Sequence, residues 1–141
     1  MAALNWNTFK SHLLKGNIDF VNDTLKVALT TSTFVPNIDT EEFFNQVTNE
    51  VVGTGYTAGG QTLTTPAVTT DDTNDRGEFD ADDVTWSSST ITGRIWILYV
   101  SGATPGTNDY LIGYEDMGSD KSSSNGDFTI QWNAAGIQHI T

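Results

Sequence analysis

Residues 91–100 read Ile91-Thr-Gly-Arg-Ile-Trp-Ile-Leu-Tyr-Val100, and this run decides the fold class. At a period of two, Ile91, Ile95, Ile97 and Tyr99 fall on one face, while Trp96, Leu98 and Val100 fall on the other. A strand that is apolar on both faces belongs in the middle of a sheet or sandwich, because neither face tolerates water. The run therefore needs strands on both sides and a layer above and below.

Working toward the C-terminus, Gly102 to Asn108, with Pro105-Gly106, reads as a turn. Tyr110, Ile112 and Tyr114 alternate in a next strand, and the polar stretch Gly118–Gly126 separates it from Phe128, Ile130 and Trp132, again at period two. Gly136 precedes a short strand over Ile137–Ile140. Strands divided by turns in this way predict an antiparallel meander.

Working toward the N-terminus, Val84–Trp86 reads as a strand entered from an acidic stretch. Gln61–Thr70 is Thr-rich and interrupted by Pro66, which suits an edge strand or a break. Gly53, Gly55 and Gly59-Gly60 punctuate a loop. Asp39 and Glu42 have capping-box spacing ahead of Phe43, Phe44, Val47 and Val51, and predict a second helix. Thr24–Thr31 alternates, with Leu25, Val27 and Leu29 on one face of a half-buried strand. Leu4, Trp6, Phe9, Leu13 and Leu14 suit one face of an N-terminal amphipathic segment at about residues 4–16, capped by Asn5 or Asn7 and stopped by Gly16; the favoured reading is a helix lying on the domain's own core, and the alternative is a terminal arm docked on a neighbouring subunit. The sum is a mainly β chain: an antiparallel β-sandwich or barrel of six to eight short strands, with one or two short helices in the N-terminal third. With no internal repeat and no linker, residues 1–141 read as a single domain.

The formal net charge is −12, with only six Lys and Arg, all scattered singly. Such a surface repels phosphates, so nucleic acid and anionic membranes are poor partners and a basic protein surface is a good one. No stretch reaches the roughly 20 apolar residues of a membrane span, and the N-terminus lacks a signal-peptide core. The expectation is a protein made in the cytoplasm that stays soluble or is built into something assembled there. With no cysteine, thiolate metal sites are excluded.

The stretch 71–86 holds seven of the chain's eighteen carboxylates against one Arg. Asp72, Asn74, Gly77 and Asp83 fall at positions one, three, six and twelve of a calcium-loop template, where hard oxygen ligands and a glycine bend belong. Arg76, however, occupies the fifth position, a shorter Asp stands where the chelating Glu should be, and the flanks read as strands. Asp72, Asn74 and Asp83 are therefore the weak calcium candidates, and a solvated acidic turn partly neutralised by Arg76 is the favoured reading. His12 and His139 lie near opposite ends with no nucleophile motif, and Gly53–Gly60 lacks the lysine of a phosphate loop. The expectation is no catalysis and no cofactor. Trp86, Trp96 and Trp132 could form a sugar-stacking platform, but each lies in an alternating strand where core packing is commoner. Trp86 and Trp132 are assigned to the core. Trp96, with Trp6, Phe9 and Leu13 of the N-terminal segment, is a possible contact with another subunit.

The run Gly53-Thr-Gly-Tyr-Thr-Ala-Gly-Gly-Gln-Thr-Leu63, then Asn74-Asp-Arg-Gly77 and Phe79-Asp-Ala-Asp-Asp-Val-Thr-Trp86, resembles a family of small virion structural proteins of tailed bacteriophages and prophages. Leu111-Ile-Gly-Tyr114, Ser122-Ser-Ser-Asn-Gly-Asp-Phe-Thr-Ile-Gln-Trp-Asn133 and the opening Trp6-Asn7, Phe9 and Leu14-Lys-Gly-Asn17 fit as well, in order over most of the chain. The resemblance implies a non-enzymatic capsid decoration (cement) protein that binds the major capsid protein on the outer shell and stabilises it, as a homo-oligomer, in particular a trimer. It would be assembled in the host cytoplasm and sit on the capsid exterior. A tail, baseplate or spike component is the alternative, and a carbohydrate-binding module is a third option.

Overall fold

The computed structural model describes residues 3–102, 104 and 106–141; Pro105 of the expected turn lies outside them. In chain order the elements are β1 (Leu4–Asn5), α1 (Asn7–Leu14), β2 (Leu25–Thr30), a 3-10 turn at Phe44–Gln46, β3 (Gln61–Thr62), β4 (Ala67–Asp71), β5 (Arg76–Asp80), β6 (Val84–Ser89), β7 (Thr92–Val100), β8 (Leu111–Ser122), β9 (Gly126–Ile130) and β10 (Gln138–Ile140). The chain is mainly β, with antiparallel sheets and one short α-helix near the N-terminus. A five-stranded sheet runs β1-β8-β7-β2-β3, a three-stranded one β10-β5-β4, and β6 pairs with β9.

The spine is one bent antiparallel ribbon. Val84–Val100 runs against Leu111–Ile130, with Val84 opposite Ile130 at one end and Tyr99 opposite Leu111 at the other. The ribbon passes from the two-stranded sheet to the five-stranded one at a corner near Ser89–Ile91 and Ser123–Gly126. Ser89 is fully buried there, its hydroxyl 2.6 Å from Ser123 Oγ and donating to the Gly126 carbonyl at 3.1 Å. Ser88 and Asn125 take positive φ (50° and 48°), the left-handed conformation that redirects each strand. Asn125 N–H is accepted by Thr90 Oγ1 at 3.0 Å. These hydroxyls satisfy the backbone groups that a sheet change leaves unpaired.

As expected, β7 is central, flanked by β2 and β8 and buried from Ile95 to Val100. Strand β2 is buried on both faces, Ala28 and Thr30 included, because it too is central; the half-buried reading of this strand is corrected. One continuous core joins the sheets, from Trp6 and Phe9 through Ile97, Leu98 and Leu111 to Trp86 and Phe128. Helix α1 lies on that core and ends as the sequence requires. Asn17 N–H bonds the His12 carbonyl (2.9 Å) and Gly16 N–H that of Leu13 (3.1 Å), a Schellman closure with Gly16 at φ 72°. Its N-cap is Trp6, in place of Asn5 or Asn7, because Leu4–Asn5 is already paired with Gly113–Tyr114 as β1.

Three further expectations are corrected. No α-helix forms over Asp39–Val51, only the 3-10 turn at Phe44–Gln46. Residues 42–44 run alongside 109–111, with Phe44 N–H bonded to the Asp109 carbonyl and Leu111 N–H to that of Glu42 (both 2.9 Å), and the Gln46 amide oxygen takes the N–H groups of Glu42 and Phe43. Nor does the polar stretch 118–126 merely separate strands: β8 continues to Ser122, and Thr92 Oγ1 meets Ser122 Oγ at 2.7 Å. The C-terminal strands also do not form a simple meander, since β9 pairs with β6 and β10 with β5.

Candidate interaction surfaces

The glycine-rich run 53–61 is a clasp closed by its own side chains. Gly60 (φ 71°) lies so close to β2 that a Cβ there would stand 1.9 Å from the Val27 carbonyl oxygen, and one on Gly53 would stand 2.5 Å from that of Thr90. Tyr56 OH accepts the Leu29 N–H (2.9 Å) and donates to Glu50 Oε1 (2.7 Å), which also accepts the Gly59 N–H (2.6 Å). Tyr99 OH donates to the Gly59 carbonyl at 2.7 Å. Burial pushes the phenols of both Tyr56 and Tyr99 well above the ordinary tyrosine range. The run thus ties β2, β7 and the end of β6 together.

The acidic stretch is a hairpin with a strand inside it. Asp71 Oδ1 accepts the N–H groups of Thr73 (3.1 Å) and Asn74 (3.2 Å), and Oδ2 accepts Asn74 Nδ2 (2.6 Å). These bonds, the Asn74 amide foremost, hold its carboxyl below the usual carboxylate range. Arg76 reaches Glu78 (2.7 Å) and Asp71 (3.3 Å), the neutralising role assigned to it from the sequence. The calcium-template residues do not come together as that loop would bring them. Asp72 and Asn74 sit at the hairpin tip, whereas Asp83 follows the extended β5 and accepts the Trp132 N–H at 2.9 Å. Among the described residues no three His, Cys, Asp or Glu converge on a cation position.

An open groove of about 640 Å³ lies between β8, β9 and residues 131–137. Trp96 and Met117 line its apolar side, with Glu115, Asp127 and Lys121 among the polar lining residues. Trp132 is half-buried and meets Trp96 edge to face (5.2 Å, 82°), its indole N–H held by the Asp82 carbonyl at 2.9 Å. Trp86 lies apart, 1 % exposed between Tyr56 and Phe128. Two of the three tryptophans are therefore buried, the pair that meets is perpendicular, and no flat sugar platform forms.

The residues expected at a subunit contact point inward. Trp6 and Phe9 are fully buried and Trp96 is 4 % exposed, so their aromatic surface already packs on this chain's own core; only Leu13 stays half-buried at the rim. Leu4 and Leu14, assigned to the apolar face of the segment, are exposed at 57 % and 90 %. The acids at 39–42, which read as a helix cap, serve α1 from outside. Asp39 accepts Asn7 Nδ2 (2.7 Å), Glu41 the Trp6 indole N–H (3.1 Å) and Glu42 the His12 Nε2 (2.8 Å).

Sequence reading also missed Arg94. Four residues of β8, Met117–Asp120, bulge opposite Arg94 alone, and its guanidinium grips Asp116 with Asp120 at 3.9 Å. The Arg94 bond holds the Asp116 carboxyl below its ordinary value. A single cation in an otherwise apolar strand was the available signal. No protein-family model, curated protein or solved structure matches the chain.

Proposed function

We propose that the chain is a non-enzymatic structural protein of a tailed-phage virion, acting as a decoration protein that binds the major capsid protein on the outer shell as a trimer and stabilises it. The observation that carries the reading is where the residues marking the phage resemblance lie. Gly53–Leu63 is the clasp on β2, Asn74–Gly77 the hairpin end, Phe79–Trp86 supplies core residues and the acids that hold Trp132 and Thr64, and Ser122–Asn133 is the ribbon corner.

The net charge of −12 supports an exterior position, away from packaged nucleic acid and suited to a basic protein surface. A protein that binds the assembled shell and not its separated subunits stabilises the shell by mass action. Reconstruction of the intact particle tests the proposal. Copies on the shell exterior at repeating lattice positions are expected; a tail-only position would move the chain to the tail or baseplate class.

A further inference from the structure

We infer that β4 is a docking edge that receives an extended, lysine- or arginine-flanked segment of another polypeptide as an added strand. The inference rests on reading this chain as one that binds a protein, and it names the element and the chemistry of the contact.

Strand β4 is the outer strand of β10-β5-β4, and Ala67, Val68, Thr69 and Thr70 are all exposed. The direction of its backbone groups follows from β5. The Phe79 carbonyl accepts the Ile137 N–H at 2.8 Å, so the backbone groups of Phe79 face the β10 side. Glu78 and Asp80 then face β4 and bond Thr69 and Ala67, their register partners. Val68 and Thr70, which oppose Phe79 and Gly77, must aim N–H and C=O away from the sheet. An edge of this kind is a template for another strand.

The edge of β8 is guarded. Along the outer side of β8, β1 covers only Gly113 and Tyr114, but the remainder carries Glu115, Asp116, Asp120 and Lys121 and the bulge at Gly118 (φ 80°). Such charges and bulges block edge pairing. Residues 67–70 carry no charge and no register shift, and Pro66 stands before the strand where it does not interrupt it.

Charge selects the occupant. Asp71, Asp72 and Asp75 stand at one end of β4, where Arg76 offsets part of their charge, and Asp80 and Asp82 stand at the other. A second copy pairing antiparallel through β4 brings the acidic end of each chain to the acidic end of the other, in a protein of net charge −12. A segment with uncharged β-branched residues in the middle and Lys or Arg at both ends meets the same edge with opposite charge.

The test uses the full chain and a soluble peptide of alternating Thr and Val with two lysines at each end, beside a twin ending in glutamates. By NMR, the lysine peptide is expected to shift the Val68 and Thr70 amides and protect them from hydrogen exchange. The glutamate twin should bind at least tenfold more weakly. Thr70→Pro removes an outward N–H while leaving the Thr69 bonds to β5, and proline is tolerated at such edge positions; it should weaken binding at least tenfold with the melting temperature kept. Thr70→Lys, which keeps the N–H and adds a like charge, guards against a misfolded proline variant and should weaken binding as well. Shifts confined to the β8–β9 groove, full binding by both variants, or Val68 and Thr70 protected in a peptide-free dimer would each overturn the inference. A chain found on the shell whose β4 variants attach normally sinks the docking edge and spares the proposed function; peptide binding by a chain missing from particles does the reverse.

Discussion

Gly60 shows how little freedom the clasp leaves. Its φ of 71° already disfavours a side chain, and a methyl group would meet the Val27 carbonyl at less than van der Waals distance. Gly60→Ala must therefore push the loop off β2, taking with it the Tyr99–Gly59 bond and the Glu50–Gly59 bond. A loss of roughly 3–5 kcal/mol is expected, the range of large single-site effects, read as a lower denaturant midpoint at unchanged slope. The tyrosines supply a second check. Burial holds Tyr56 and Tyr99 above the ordinary value, and Tyr114 is raised for the same reason, helped by Glu41. Because the unfolded phenols ionise near pH ~10, the stability these groups contribute is intact below that pH. It is lost as pH rises toward their folded values. Absorbance at 295 nm should show Tyr56 and Tyr99 staying protonated through pH 10 and ionising together with unfolding; their independent titration near 10 would show that the clasp is open.

The elements divide into those whose own residues determine them and those fixed by a distant partner. Ile95–Val100 was legible because two apolar faces leave only a central strand, and the end of α1 because Gly16 is the residue that a left-handed stop requires. Asp39–Val51 was not. Acids ahead of an apolar run look the same whether they cap their own helix or bind another, and here Asp39, Glu41 and Glu42 turn to α1 while residues 42–44 lie along 109–111. The second half of β8 was hidden because its side chains are largely exposed, so no hydrophobic period marks it; cross-strand hydroxyls and the Arg94 grip hold it instead. The corner of the ribbon yields a prediction at this scale. Ser89→Ala takes a hydrogen-bond partner from the half-buried Ser123 hydroxyl and Gly126 carbonyl, a cost of about 0.5–1.5 kcal/mol. Equilibrium unfolding measures it, and a neutral result would mean that the corner is held by backbone geometry alone.

At the scale of the molecule, the antiparallel β architecture was readable from strand spacing, whereas the pairing of strands was not. Four segments joined by turns suggest neighbours in order, yet the bend at Ser89–Ile91 and Ser123–Gly126 sends β9 to β6 and leaves β5 to take β10. The candidate contacts fared differently for a related reason. Apolar residues at helical spacing mark a face without saying what covers it, and Trp6 and Phe9 cover this chain's own core. What remains outside is an acidic shell, an open groove at Trp96 and Trp132, and the bare edge of β4. The measurement that decides the proposed role is a reconstruction of the virion at a resolution that traces strands. This fold is expected on the outer surface of the capsid, repeated with the lattice and in contact with the major capsid protein. Its absence from the particle, or its confinement to the tail, would contradict a role in decorating the shell.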